Sequence, residues 1–170
     1  PEGATSLGLD TGARAALKAK LSDASVAHLY QDRMEGRARL RRLEAIPRAR
    51  LNDEDKTRYD AALFAVQLGR DGEAFTYGEN TYISAMGGGA TPYVVSQQNG
   101  AYSNIPEFLN SRHSINNKSD CDAYLALMEA YARQLDQETE RVRRDAGLGV
   151  IAPDFILDNA IGQITGARQQ

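Results

Sequence analysis

Two histidines, one cysteine and one glycine triplet are the features of this 170-residue chain that first invite a chemical reading. Zinc hydrolysis needs clustered His, Cys or carboxylate ligands, typically two histidines one helical turn apart with a third ligand beyond. His28 and His113 stand far apart, each without a second histidine near it. They read as a helix-surface residue and a loop residue. A Cys–His nucleophilic pair would join Cys121 to His113, but Cys121 falls on the apolar stripe of a strong helix, where a thiol packs as a small hydrophobe. Asp120 and Asp122 are two apart, point to different helix faces, and read as first-turn partners of the helix dipole. Gly87-Gly88-Gly89 offers bare backbone N–H groups, yet no Gly-Lys-Ser/Thr follows, and Thr91-Pro92 leads toward a strand instead of the helix that a phosphate loop requires. No residue is assigned to catalysis or to metal.

Binding is better represented. The segment from Thr91 to Tyr102 interleaves tyrosine with Ser96, Gln97, Gln98 and Asn99. Amide and phenol groups donate and accept without charge, which suits recognition of a peptide backbone. The same groups equally suit the internal hydrogen bonding of a buried loop. Seven arginines fall between Arg33 and Arg50, a run that reads first as a solvated helix face and second as a surface for an anionic partner.

Composition bounds these readings. The net charge is −3 and the sequence pI about 5.4, which argues against nucleic acid as a main partner. Leu, Ile, Val and Phe together make 34 residues, whereas alanine alone makes 25. So few large apolar groups imply a thin, alanine-packed core. No 18-residue apolar stretch exists to cross a membrane, and no basic-then-apolar leader is present. The lone Cys121 decides no compartment. The chain opens at Pro1 and closes on an apolar-periodic run, Ile161 to Ile164, trailing into Ala167-Arg168-Gln169-Gln170. These ends are expected of a piece of a longer protein.

Helical periodicity predicts the elements that must position such groups. Asp10 caps a short helix through Leu17 and Leu21, and Ser22-Asp23 caps a long one carrying Val26, Leu29, Tyr30, Met34, Leu40 and Leu43, stopped by Pro47. The two form a helical hairpin. Asn52 with Asp53, Glu54 and Asp55 starts a helix to about Leu68, its Tyr59, Leu63 and Val66 facing that hairpin. Periodicity then vanishes over about 75–110, a mostly irregular insert with room for a short strand at Tyr93-Val94-Val95-Ser96 and a one- or two-turn helix begun by Pro106. So long a connection is usually functional or docked on something. Asn116-Asn117 or Ser119 caps the clearest helix, striped by Cys121, Tyr124, Leu125, Met128, Tyr131, Leu135 and Val142 and ended at Gly147. Pro153 opens a last helix through Phe155, Leu157, Ile161 and Ile164. The fold class is mainly α, a single helical domain over 1–170.

Several motifs carry a resemblance. Glu2-Gly3-Ala4-Thr5-Ser6-Leu7-Gly8, Pro92-Tyr93-Val94-Val95-Ser96-Gln97 with Gly100-Ala101-Tyr102, Ile105-Pro106-Glu107-Phe108-Leu109, Arg112-His113-Ser114-Ile115, Asp122-Ala123-Tyr124-Leu125 and Gly149-Val150-Ile151-Ala152-Pro153-Asp154-Phe155 occur in that order. Together they resemble the N-terminal part of the bacterial domain-of-unknown-function family 885, over essentially the whole chain. Where the family often has Gln-His-Pro-Ile, this chain has Ser114 in place of proline, which loosens the turn and keeps His113.

Full-length members are several times longer, usually exported, and look like helical zinc metallopeptidases whose metal motif lies downstream of the matched region. The resemblance therefore implies an N-terminal helical subdomain forming one wall of a peptide-binding cleft. Its binding candidates are Tyr93, Gln97, Tyr102 and His113. Zinc and the general base belong to the catalytic region of the same protein, the expected partner alongside a peptide substrate. The implied location is periplasmic or otherwise exported, with a cytoplasmic one left open. The competing reading is a stand-alone helical module that binds another protein.

Overall fold

The computed structural model describes residues 1–78 and 92–169, so Gly87-Gly88-Gly89 and Thr91 lie outside the described residues. Its helices are α1 (Glu2–Ser6), a 3-10 helix (Gly12–Ala19), α2 (Val26–Glu44), a second 3-10 helix (Arg48–Arg50), α3 (Asp53–Gly72), α4 (Ala101–Ser111), α5 (Lys118–Gly147) and α6 (Asp154–Ala167). The fold is mainly α. No described helix is long and apolar enough to cross a membrane. The chain divides into two compact units, Ala27–Tyr93 and the joined segments Pro1–Val26 and Val94–Gln170.

In the discontinuous unit, α4 and the first 3-10 helix pack on α5. The core is small: Ala101, Ile105, Phe108 and Leu109 of α4 close on Leu127 of α5, with Leu21, Tyr124, Tyr131 and Leu135 half-buried around them. Leu127 is the one large side chain of the described core that is fully enclosed. Asn117 starts α5 by accepting from the Asp120 N–H at 3.1 Å, leaving a helix of 30 residues, roughly 45 Å long.

The buried face of α5 is rotated from the expected stripe. Cys121, Leu125, Met128 and Val142 face solvent, while Asp120, Ala123, Leu127, Glu138, Arg141 and Asp145 point inward. These residues keep the three-and-four spacing of a helix face. Four of the six are charged, so a stripe traced through apolar residues alone catches only the edge of the buried face, where Tyr124, Tyr131 and Leu135 pack against the core.

The insert also departs from expectation. No strand forms at Tyr93–Ser96; one isolated bridge joins Ser96 to Asn99 across a tight turn. A two-residue closure of this kind leaves no length for a ladder. The helix expected to begin at Pro106 begins five residues earlier, at Ala101, and carries Pro106 inside it. Proline there removes the hydrogen bond that the Tyr102 carbonyl would accept. Burial of Ile105, Phe108 and Leu109 on α5, with an external acceptor for the Ala101 N–H, outweighs that loss. Near the N-terminus a 3-10 helix behind Thr11 stands where Asp10 was expected to cap a helix to Leu21.

In the unit Ala27–Tyr93, Asn52 caps α3 as its position predicts, accepting from the Asp55 N–H at 2.8 Å. The helix continues past Leu68 to Gly72. Arg48 then grips Asp60 through two hydrogen bonds, at 2.7 and 2.6 Å. Leu40 is its one buried large apolar residue among those described, and Tyr30, Met34, Phe64 and Phe75 are more than half exposed.

Candidate functional site

The turn leading into α4 is built almost entirely from uncharged hydrogen bonds. Ser96 N–H donates to the Asn99 carbonyl at 2.9 Å, the Asn99 side-chain amide donates to the Val94 carbonyl at 2.9 Å, and the Ser96 hydroxyl meets the Asn99 side-chain oxygen. Gly100 follows with φ 134°, a conformation open to glycine alone at little cost. A Cβ there would lie 3.0 Å from Tyr102 Cδ1. The close approach lets the Tyr102 ring fold back under the turn.

Tyr102 is buried, and its hydroxyl lies 2.8 Å from the Ser96 carbonyl and 2.5 Å from Gln163 Oε1 of α6. Burial pushes the phenol pKa up and keeps it neutral. Tyr102 is therefore a strut that ties the turn to α6. Behind it the buried Glu138 carboxylate accepts from the Ala101 N–H with both oxygens, at 3.0 and 2.9 Å, capping α4 from the neighbouring helix.

Gln97 sits at the tip of this turn, half-buried, and its Oε1 is enclosed without a hydrogen-bond partner among the described residues. A buried amide oxygen left unpaired loses hydration for nothing in return. It is an acceptor waiting for a donor. Of the expected binding residues, the structure joins Gln97 and Tyr102 in one turn. Tyr93 belongs to the other unit, where it is half-buried.

His113 lies beyond the far end of α4, separated from Tyr102 by about three helical turns. It is buried, its Nε2 is 3.2 Å from the Asp120 carbonyl, and its ring centroid is 5.6 Å from that of Tyr124. A carbonyl only accepts, so Nε2 donates to it, and Nδ1 has no partner among the described residues. The Asp120 carboxylate beside it accepts from Lys18 Nζ at 2.6 Å and from the Asn116 N–H at 2.8 Å. These bonds, Lys18 foremost, hold the Asp120 carboxyl below the usual carboxylate range. His113 thus has a place at the joint between α4 and α5.

Among the described residues no three His, Cys, Asp or Glu side chains come together in a way that would hold a metal ion. His28 faces Asp32 at 3.5 Å on α2. The described residues do not fit a zinc site. What the turn offers is an unpaired amide oxygen, enclosed beside an uncharged and internally braced turn.

The sequence profile of a bacterial protein family of unknown function, DUF885, matches residues 1–170. The chain belongs to the DUF885 family. No curated protein and no solved structure matches it. Both the Gln97 turn and His113 fall inside the matched span. Sequence reasoning missed Lys18, Glu138 and Gln163, the residues that brace these positions. A signal was available for one of them, since Glu138 continues the helix-face spacing from Leu127 at a point where an apolar residue would otherwise be required.

Proposed function

We propose that this chain forms one wall of the peptide-binding cleft of a zinc-dependent peptidase, with the metal ligands and general base contributed by the rest of that protein. The observation that carries the reading is the enclosed, unpaired Oε1 of Gln97. An extended peptide supplies a backbone N–H at every residue, and the Gln97 amide, turning outward from its enclosed position to gain the donor it lacks, would recognise it without demanding a particular side chain. Tyr102, Gln163 and Glu138 hold the turn in place. His113 orients the start of α5, and an exported location accompanies the reading.

Exposed apolar groups support a large covering surface. Ile151, Phe155 and Ile161 at α6 and Leu125 on α5 are each more than half exposed. Surfaces of this kind mark interaction sites. We assign them to the catalytic region of the same protein. The second reading is a free-standing helical interaction module whose arginine face or loop binds another protein, and it predicts a natural stop codon close to Gln170. The primary reading is tested by replacing Gln97 with Ala in the full-length protein. A raised KM for peptides with kcat retained supports it. Unchanged kinetics with lowered stability would reduce the turn to packing.

A further inference from the structure

Within the unit Ala27–Tyr93, α2 and α3 separate to leave an open cleft of about 560 Å³, lined by Arg37, Leu40, Arg41, Glu44, Arg70 and Glu73 among others. Arg37 and Arg41 are four residues apart on one face of α2. Arg70 approaches from the last turn of α3. Arg37 Nε is committed to Glu73 at 2.7 Å, whereas the Arg41 and Arg70 guanidinium groups have no hydrogen-bond or ion-pair partner among the described residues. One turn before Arg37, Arg33 donates to the Phe75 carbonyl through Nη2 at 2.9 Å and leaves a buried Nε unpaired. Donors outnumber acceptors along this face. The floor is apolar, with Leu40 only 5% exposed.

We infer that this cleft is a binding site for a monocarboxylate on an apolar stem, its carboxylate clamped between Arg41 and Arg70 and its stem resting on Leu40. The charge count selects the ligand class. Three guanidinium groups face two carboxylates, and the Arg37–Glu73 pair removes one of each. Arg41 and Arg70 against Glu44 leave one positive charge, which a monoanion neutralises. A dianionic phosphate or a polyanion would bring surplus negative charge against Glu44 and Glu73. Guanidinium forks also match the carboxylate's planar, two-oxygen geometry. The site lies wholly within the unit Ala27–Tyr93.

The test is a titration of this chain followed by NMR of the arginine Nε–H signals. The probes are N-acetyl-leucine, its neutral amide, an acetylated tripeptide ending in leucine with a free carboxylate, and inorganic phosphate. Saturable shifts with the acids, lost with the amide and weakened by added salt, are expected. Arg41→Gln and Arg70→Gln should each weaken binding about tenfold, while Arg50→Gln on the second 3-10 helix leaves it unchanged. Arg41 and Arg70 are exposed, so both variants should keep the wild-type far-ultraviolet circular dichroism. Tighter binding of the tripeptide than of acetyl-leucine assigns the site to peptide chain ends, and equal binding assigns it to free acids. Binding of the amide as tight as the acid, preference for phosphate, or equal weakening by Arg50→Gln would overturn the proposal.

Discussion

Replacing Glu138 with alanine tests how the turn before α4 is held. Both carboxylate oxygens accept from the Ala101 N–H, and Ala101 is 2% exposed, so the variant leaves a buried N–H without a protein acceptor. A buried donor left unpaired costs about 1–3 kcal/mol. Removing an anion from the N-terminus of α4 adds about 0.3–1 kcal/mol. The expected loss is about 1–4 kcal/mol, which for a chain of this size lowers Tm by roughly 3–16 °C. Glu138→Gln keeps one acceptor oxygen and should lose about half as much. Thermal and urea unfolding followed by circular dichroism measure both. An alanine variant within about 0.5 kcal/mol of the parent, the scale of an ordinary surface substitution, would refute the capping role.

Leu127→Ala should cost about 2–5 kcal/mol in urea unfolding, whereas Leu125→Ala, on the exposed face of α5, should fall within about 0.5 kcal/mol of the parent. The reverse order would restore the apolar-stripe register. Gly100→Ala forces a Cβ into the Tyr102 ring at a backbone conformation that favours glycine, and should destabilise the chain by about 1–3 kcal/mol in the same assay. The Asp120 carboxyl is held below its unfolded value by Lys18 and by the Asn116 and Asn117 N–H groups. Its contribution is therefore full above the ordinary carboxylate range and is lost as pH falls through the lower folded value. Stability plotted against pH should drop below about pH 4, and Asp120→Asn should flatten that drop.

The parts of this fold that were legible in the sequence are those fixed by local chemistry. Asn52 and Asn117 announce their helices because a short side-chain acceptor before a run of helix formers satisfies an N–H that the helix leaves free. The end of α5 at Gly147 follows equally local rules. What was hidden depends on contacts distant in sequence. α4 begins at Ala101 because Glu138, 37 residues away, accepts its first N–H and because Leu127 receives Ile105 and Phe108. The face of α5 is only half legible: Tyr124, Tyr131 and Leu135 pack on the core as the apolar stripe implies, but Asp120, Glu138, Arg141 and Asp145 are interior residues of the wrong polarity for such a stripe. The Gln97 site is half visible in the sequence: its amide and phenol groups are legible there, but only the structure separates the braced strut Tyr102 from the unpaired acceptor Gln97.

Peptide hydrolysis is the most direct test of the account, measured on the full-length zinc-loaded protein with Gln97 intact and with Gln97→Ala. The account predicts metal-dependent cleavage in both, with KM raised about threefold to tenfold and kcat within about twofold, as expected when one neutral hydrogen bond to bound substrate is removed. No cleavage by the zinc-loaded parent protein, or identical KM values in the two, would contradict it.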